Sequence, residues 1–440
     1  MKYCHRFFDY LYIDNNEGNI CLCPWMEPSN ASIGNLMTDD VADAYNSEYA
    51  NYLRSTMEDQ LFRFCRNEAC PHIQNGDLPE ITLEEYEHIK KESYRPDFEI
   101  NLAYDFVCNQ SCETCRANVF IPPHNYAEQM SAIQAKILPY LKTTKRITAS
   151  GHGDPFASPY MMGLLENLHP DNPELSIMLE TNGVFFDEAH WERIKHLADF
   201  NIEIVVTINS FNEFTYRHVS RGGNYDKMLH NLEFMSQLRK KGYIKLLSNS
   251  LVIQDRNFRE IPSFVERSLS DYAFDRVILK PVYQWGTMDE RVFWFKDVLN
   301  PLHPYHAEYL EILQDDALKD PRVYNFGGNT VHPARTYPSE GGVSFPYANV
   351  KKDSRIILYG AGQIGREYMR QISQTQYCSV VLQVDKNYCD ECSVFAPSAI
   401  KKMKLDEFDC IVLATRNPKF IDEMMQVLED LGIPNECIII

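Results

Sequence analysis

Cys108, Cys112 and Cys115 lie close together in the segment Asp105-Phe106-Val107-Cys108-Asn109-Gln110-Ser111-Cys112-Glu113-Thr114-Cys115-Arg116. Three thiolates on one loop can hold three corners of an iron–sulfur cubane and leave the fourth iron without a side-chain ligand. An open metal position is what a substrate-binding or catalytic centre requires. The competing reading is a structural zinc site. Zinc knuckles, however, pair cysteines as C-x₂-C and complete four ligands. Here the spacing is C-x₃-C-x₂-C, with no fourth ligand adjacent.

A loop of this kind needs elements to hold it. Across residues 79–340, short apolar runs alternate with longer amphipathic stretches. Runs 146–149, 175–179, 202–207 and 277–279 read as buried strands, and 127–142, 187–198, 224–241 and 257–269 as helices. Such alternation implies a parallel sheet with helices outside it. About six units fit an α/β fold built as a partial (β/α)6-type barrel. Ligands of parallel α/β sheets gather at the C-terminal strand ends, which places the chemistry there.

With these residues in view, the chain resembles the radical SAM enzymes, whose signature is C-x₃-C-x₂-C. Further motifs of that family follow in order. Gly151, Gly153 and Asp154, in Ser150-Gly151-His152-Gly153-Asp154-Pro155, are similar to the glycine-rich second-strand motif that receives the methionine ammonium. Thr181-Asn182-Gly183 ends the next strand. Thr207 and Asn209 stand where relatives contact ribose and carboxylate, and Arg221 where an arginine lies near the cofactor carboxylate. The resemblance implies a [4Fe–4S] cluster at Cys108, Cys112 and Cys115, with S-adenosylmethionine chelating its open iron. Reduction by a low-potential electron donor would cleave the cofactor to a 5′-deoxyadenosyl radical. That radical would abstract hydrogen from a sugar, peptide or small-metabolite substrate.

Residues 1–78 hold five more cysteines, at 4, 21, 23, 65 and 70. They resemble the auxiliary-cluster module called SPASM, or its shortened twitch form, here permuted ahead of the barrel. That implies a second [4Fe–4S] cluster on Cys4, Cys23, Cys65 and Cys70, with Cys21 as the alternative to Cys23. A zinc-stabilised or simply thiol-rich module is the other reading.

Turn-forming residues 337–342 read as a linker, and 354–440 as a Rossmann-like domain. Strand 355–359 leads into Gly360, Gly362 and Gly365, spaced G-x-G-x-x-G, and Asp385 follows twenty residues after Gly365. Such a turn can face a pyrophosphate and such an acid a ribose hydroxyl. A nucleotide or nucleotide-sugar is therefore a candidate ligand. The alternative function for the whole chain is a nucleotide-sugar-binding protein with a structural metal core. Cys389 and Cys392 have redox spacing but read as incidental. His152 could touch substrate or cofactor, or be a solvated loop residue.

Composition narrows the partners. The 440 residues carry a formal charge of −19, which disfavours nucleic acid and anionic membranes. No signal peptide and no run of about 20 apolar residues is present. The thirteen cysteines, an odd number gathered in clusters, argue against a disulfide framework and for a cytoplasmic protein with metal ligands.

Overall fold

The computed structural model describes residues 1–15, 17–26, 32–67, 70–91, 98–149, 151–329, 332–338, 342–389 and 393–440. Two compact units emerge. The first comprises residues 1–288 and 309–332, the second 289–308 and 333–440.

The first unit is built on one open sheet of ten strands. They are β1 (Tyr10–Asp14), β2 (Asn19–Cys21), β3 (Ser32–Asn35), β4 (Glu99–Ala103), β5 (Arg146–Ala149), β6 (Ser176–Thr181), β7 (Asn201–Thr207), β8 (Leu246–Ile253), β9 (Arg276–Pro281) and β10 (Val323–Asn325). Their order is β10-β9-β8-β7-β6-β5-β4-β1-β2-β3. Strands β4 to β9 form the six-stranded parallel run, and β1 continues it in parallel beside β4. The N-terminal segment thus shares the barrel's sheet, and its hairpin β2–β3 closes that edge antiparallel.

Burial is near-continuous along β4, β5 and β8 and alternates along β6 and β9, while polarity alternates between the two faces. Ile100, Ile147, Ile177, Leu179, Ile202, Ile204, Val206, Leu247, Leu251, Val277 and Leu279 are fully buried. Helices such as Tyr126–Thr143, Tyr225–Lys240 and Ile261–Ser270 supply apolar faces. Asn249 shares this outer parity and bonds Ser268 of the last helix, which fixes the face the helices cover. The opposite face is polar: Glu99, Asn101, Arg146, Thr148, Glu180, Glu203, Ser248, Ser250 and Lys280. Strand β8 escapes an apolar-run search because Ser248 and Ser250 interrupt it.

Curvature makes this polar face the inner one. Lys280 on β9 is ion-paired with Glu180 on β6. Three strand spacings, about 14 Å on a flat sheet, separate their backbones, so the sheet must curl for them to meet. Lower down, Arg146 donates to Glu203 at 2.7 Å and to Ser176 at 3.1 Å. Thr148 donates to Glu99 at 2.9 Å. This half-buried network closes the end of the barrel where the strands begin.

The second unit has a four-stranded parallel sheet, β12-β11-β13-β14. Its strands are β11 (Arg355–Tyr359), β12 (Ser379–Val384), β13 (Cys410–Leu413) and β14 (Ile438–Ile439). Tyr337 lies buried against Trp294 and Phe295. The stretch read as a linker therefore begins inside this unit; its residues 339–341 and Cys392 lie outside the described residues. Among the described residues no helix is long and apolar enough to cross a membrane.

Arg146→Met leaves the Glu99 and Glu203 carboxylates without their cation. It is expected to cost about 3 kcal/mol, read as a lower denaturation midpoint. Adding Glu203→Leu should return part of the loss. An unchanged midpoint in the single variant would remove the network from the account of stability.

Candidate iron–sulfur and cofactor site

The cysteine loop leaves the end of β4 without regular structure of its own, so its backbone groups find partners elsewhere. Ser111 donates its N–H to the Arg221 carbonyl at 2.9 Å, and Glu113 to Val219 at 3.2 Å. The Arg221 guanidinium donates to the carbonyls of Ser111 (2.9 Å) and Arg116 (3.1 Å). Arg116 in turn donates to the Phe106 carbonyl at 2.8 Å.

Asp154 joins this loop to the next two strand ends. Its N–H donates to the Val107 carbonyl at 2.9 Å. One carboxylate oxygen accepts from the N–H groups of Phe156 (3.0 Å) and Ala157 (3.1 Å). The other accepts from the Thr181 hydroxyl (2.9 Å) and the Asn182 N–H (2.7 Å). Asn182 then donates from its side chain to Asn109 at 2.9 Å, inside the cysteine loop. Gly153 permits the close approach: a Cβ there would stand 2.6 Å from the carbonyl oxygens of both Asp105 and Val107.

These positions refine the roles read from the motifs. Gly153, Asp154, Thr181 and Asn182 come together beside Cys108, and Gly151 lies against Ala103 at the end of β4. Arg221, expected beside a cofactor carboxylate, spends its guanidinium on loop carbonyls that no helix or strand satisfies. Asn209, at φ 63°, accepts from the Val252 N–H at 3.0 Å. It is buried and holds β8 rather than facing outward. Thr207 sits half-buried on the inner face at the end of β7. His152 was left open by sequence. Its ring lies 4.6 Å from Phe106 at 10° and its Nε2 is 2.9 Å from Asp14.

Burial, then the charge of Asp154, pushes the Cys108 thiol up to about 12. Burial, then Cys115 and Cys108, pushes Cys112 up to about 12. Thiols packed this way stay protonated at neutral pH unless a cation binds them. Arg116 supplies one fixed positive charge, with its own pKa raised. Burial opposes that charge, and the neighbouring Cys115, Cys108 and Cys112 outweigh it. Among the described residues, no group of three His, Cys, Asp or Glu side chains is spaced to chelate a single ion. The donor set fits a cubane, in which each thiolate holds a different iron.

The model of the Radical SAM superfamily matches residues 106–267, and that of SPASM, an iron–sulfur cluster-binding domain, matches residues 4–71. Residues 106–267 are a radical SAM domain, preceded by a SPASM domain. The first match is to a domain named for S-adenosylmethionine radical chemistry and the second to a domain that binds an iron–sulfur cluster. No curated protein matches the chain. Several solved structures resemble it at low identity. TYW1 with a lysine-pyruvate adduct bound is 16% identical over 50% of this chain and 73% of its own, with a TM-score of 0.34. SuiB from Streptococcus suis bound to S-adenosylmethionine is 12% identical over 68% and 66%, at 0.33. Coproporphyrinogen III oxidase (HemN) from Escherichia coli is 16% identical over 50% and 52%, at 0.34.

In the N-terminal SPASM segment, the Cys65 thiol is influenced by Cys23, Cys4 and Cys70. Cys23 is influenced by Cys4 and Cys70. Cys21 sits apart, with Asp14 and Cys23 as its charged neighbours. Burial comes first in raising all five thiols. In the second unit, Gly360, Gly362 and Gly365 form the turn into the helix Gln363–Thr375. A Cβ on Gly365 would fall 2.1 Å from the Gly360 carbonyl oxygen. Asp385 does not present a free carboxylate there. It accepts from the N–H groups of Ala361 and Asn387, both at 2.7 Å.

Sequence reading missed Arg6, Asp14, Asn109 and Arg116. Arg116 directly follows Cys115, and Arg6 follows Cys4 by two residues, so adjacency to a ligand was the available signal. Asp154→Ala would leave the Thr181 hydroxyl and three N–H groups without their acceptor. A loss of about 3 kcal/mol and faster iron release from the anaerobic protein are expected, followed by denaturation and by bleaching of the cluster absorbance. Asp154→Asn, which keeps an acceptor oxygen, should fall between the two.

Proposed function

We propose that Cys108, Cys112 and Cys115 hold the [4Fe–4S] cluster whose fourth iron takes the amino and carboxylate groups of S-adenosylmethionine. The bound group supplies reductive cleavage of the cofactor to a 5′-deoxyadenosyl radical, which takes a hydrogen atom from the substrate. Carrying this reading is one observation: three closely spaced thiols on a loop tied by Asp154, Asn182 and Arg221 to successive strand ends. The chain's own residues position that loop and line the inner face. Glu180, Lys280, Glu203 and Arg146 make that face polar, which supports a sugar, peptide or other polar metabolite as substrate. A low-potential electron donor is the second partner.

We further propose that Cys4, Cys23, Cys65 and Cys70 ligate a second cluster, because each of these thiols lies among the others. Residues 1–78, 79–340 and 354–440 would then be auxiliary module, catalytic barrel and appended Rossmann-like domain. Free thiols at all twelve described cysteines support a reducing, cytoplasmic setting. A nucleotide-sugar reading of the second unit draws less support, since the Asp385 carboxylate is engaged by the glycine turn itself.

Anaerobically reconstituted protein, reduced with dithionite in the presence of S-adenosylmethionine, should release 5′-deoxyadenosine. Cys112→Ala should abolish that release and lower the bound iron. Tightly bound zinc in anaerobic protein, or undiminished product from Cys112→Ala, would sink the reading.

A further inference from the structure

Arg6 lies where the N-terminal thiols meet the inner face of the sheet. It starts the short helix Arg6–Asp9, and its guanidinium carbon stands 4.5 Å from the centroid of the Tyr10 ring. Tyr10 in turn accepts from Asn101 of β4 at 2.8 Å. The backbone N–H of Arg6 donates to the Cys4 thiol. Its Nε is buried and has no acceptor. Burial works against the cation, but the Cys23 thiol, the Tyr10 phenol, the Glu99 carboxylate and the Cys4 thiol together raise its pKa. A guanidinium is charged at every working pH, so no titration enters. A buried donor of this strength without an acceptor calls for one. Its sulfur neighbours indicate where that acceptor belongs.

We propose that Arg6 donates its Nε–H to a sulfur of the second cluster and, as a fixed cation, raises that cluster's reduction potential. The inference rests on Cys4, Cys23, Cys65 and Cys70 being the ligands. Net charge and hydrogen bonds to sulfur set such potentials, and both act here in the same direction, favouring the reduced form. A raised potential suits a cluster that takes up an electron rather than one that only staples the module.

The test uses the full chain carrying Cys108→Ala, Cys112→Ala and Cys115→Ala, reconstituted anaerobically, so that only the second cluster remains. Iron bound by this parent checks the ligand reading separately; its absence removes that reading and this inference with it. In a potentiometric titration followed by electron paramagnetic resonance, adding Arg6→Gln should shift the midpoint to more negative potential with iron content unchanged. Arg6→Lys, which keeps the charge but moves the donor, should give an intermediate value. Should Arg6→Gln fail to retain iron, Arg6→Lys is read alone: a midpoint below the parent's supports the proposal. A midpoint equal to or above the parent's, in any variant that holds the cluster, overturns it.

Discussion

A single buried carboxylate holds the active end of the barrel together. Asp154 accepts four hydrogen bonds from groups on the loops after β5 and β6, while its own N–H reaches the loop after β4. Three strand ends are thereby locked to one another at the place where the cysteines emerge. The cost of burying that charge is offset only because every lone-pair direction finds a donor. Arg221 completes the arrangement from the other side by capping loop carbonyls. The cysteine loop's backbone is satisfied largely by other loops, and within it the Gln110 N–H donates to the Cys108 thiol at 3.4 Å.

The second constraint is the division of the sheet into two faces. The outer face buries aliphatic side chains under helices. The inner face carries charges and hydroxyls, paired across the curl by Glu180 with Lys280 and by Arg146 with Glu203. A parallel sheet covered on both faces reads as continuous apolar runs; this one keeps polar residues on alternate positions because one face must remain open to ligands. The thiol groups follow the same logic. Burial raises the pKa of Cys108, Cys112 and the N-terminal thiols, and Arg116 and Arg6 place fixed positive charge beside them.

Much of the site was legible because its determinants are local. The spacing of Cys108, Cys112 and Cys115 survives any tertiary arrangement of the loop. Gly151, Gly153, Thr181 and Asn182 could be placed at strand ends because strand and turn follow from neighbouring residues. The strand and glycine turn that open 354–440 were read the same way. Roles were less legible than positions. Arg221 and Asn209 were read as cofactor contacts; the fold adds that one caps carbonyls and the other braces β8. Asp385, read as a ribose ligand, also accepts from its own glycine turn. In each case a polar side chain found a backbone partner distant in sequence, which spacing cannot disclose.

The sequence by itself determined the chemistry available: three closely spaced thiols, a second dispersed group of thiols, and alternating strands and helices to carry them. These are properties of residue type and short-range periodicity, and the chain holds them before it folds. Tertiary structure alone decided that Cys4, Cys23, Cys65 and Cys70, far apart in sequence, come near one another. It also decided that β1 extends the barrel sheet and that the buried Arg6 Nε–H is left without an acceptor. Those facts depend on which distant segments the sheet brings together, and on which buried polar groups are left unpaired once it has formed.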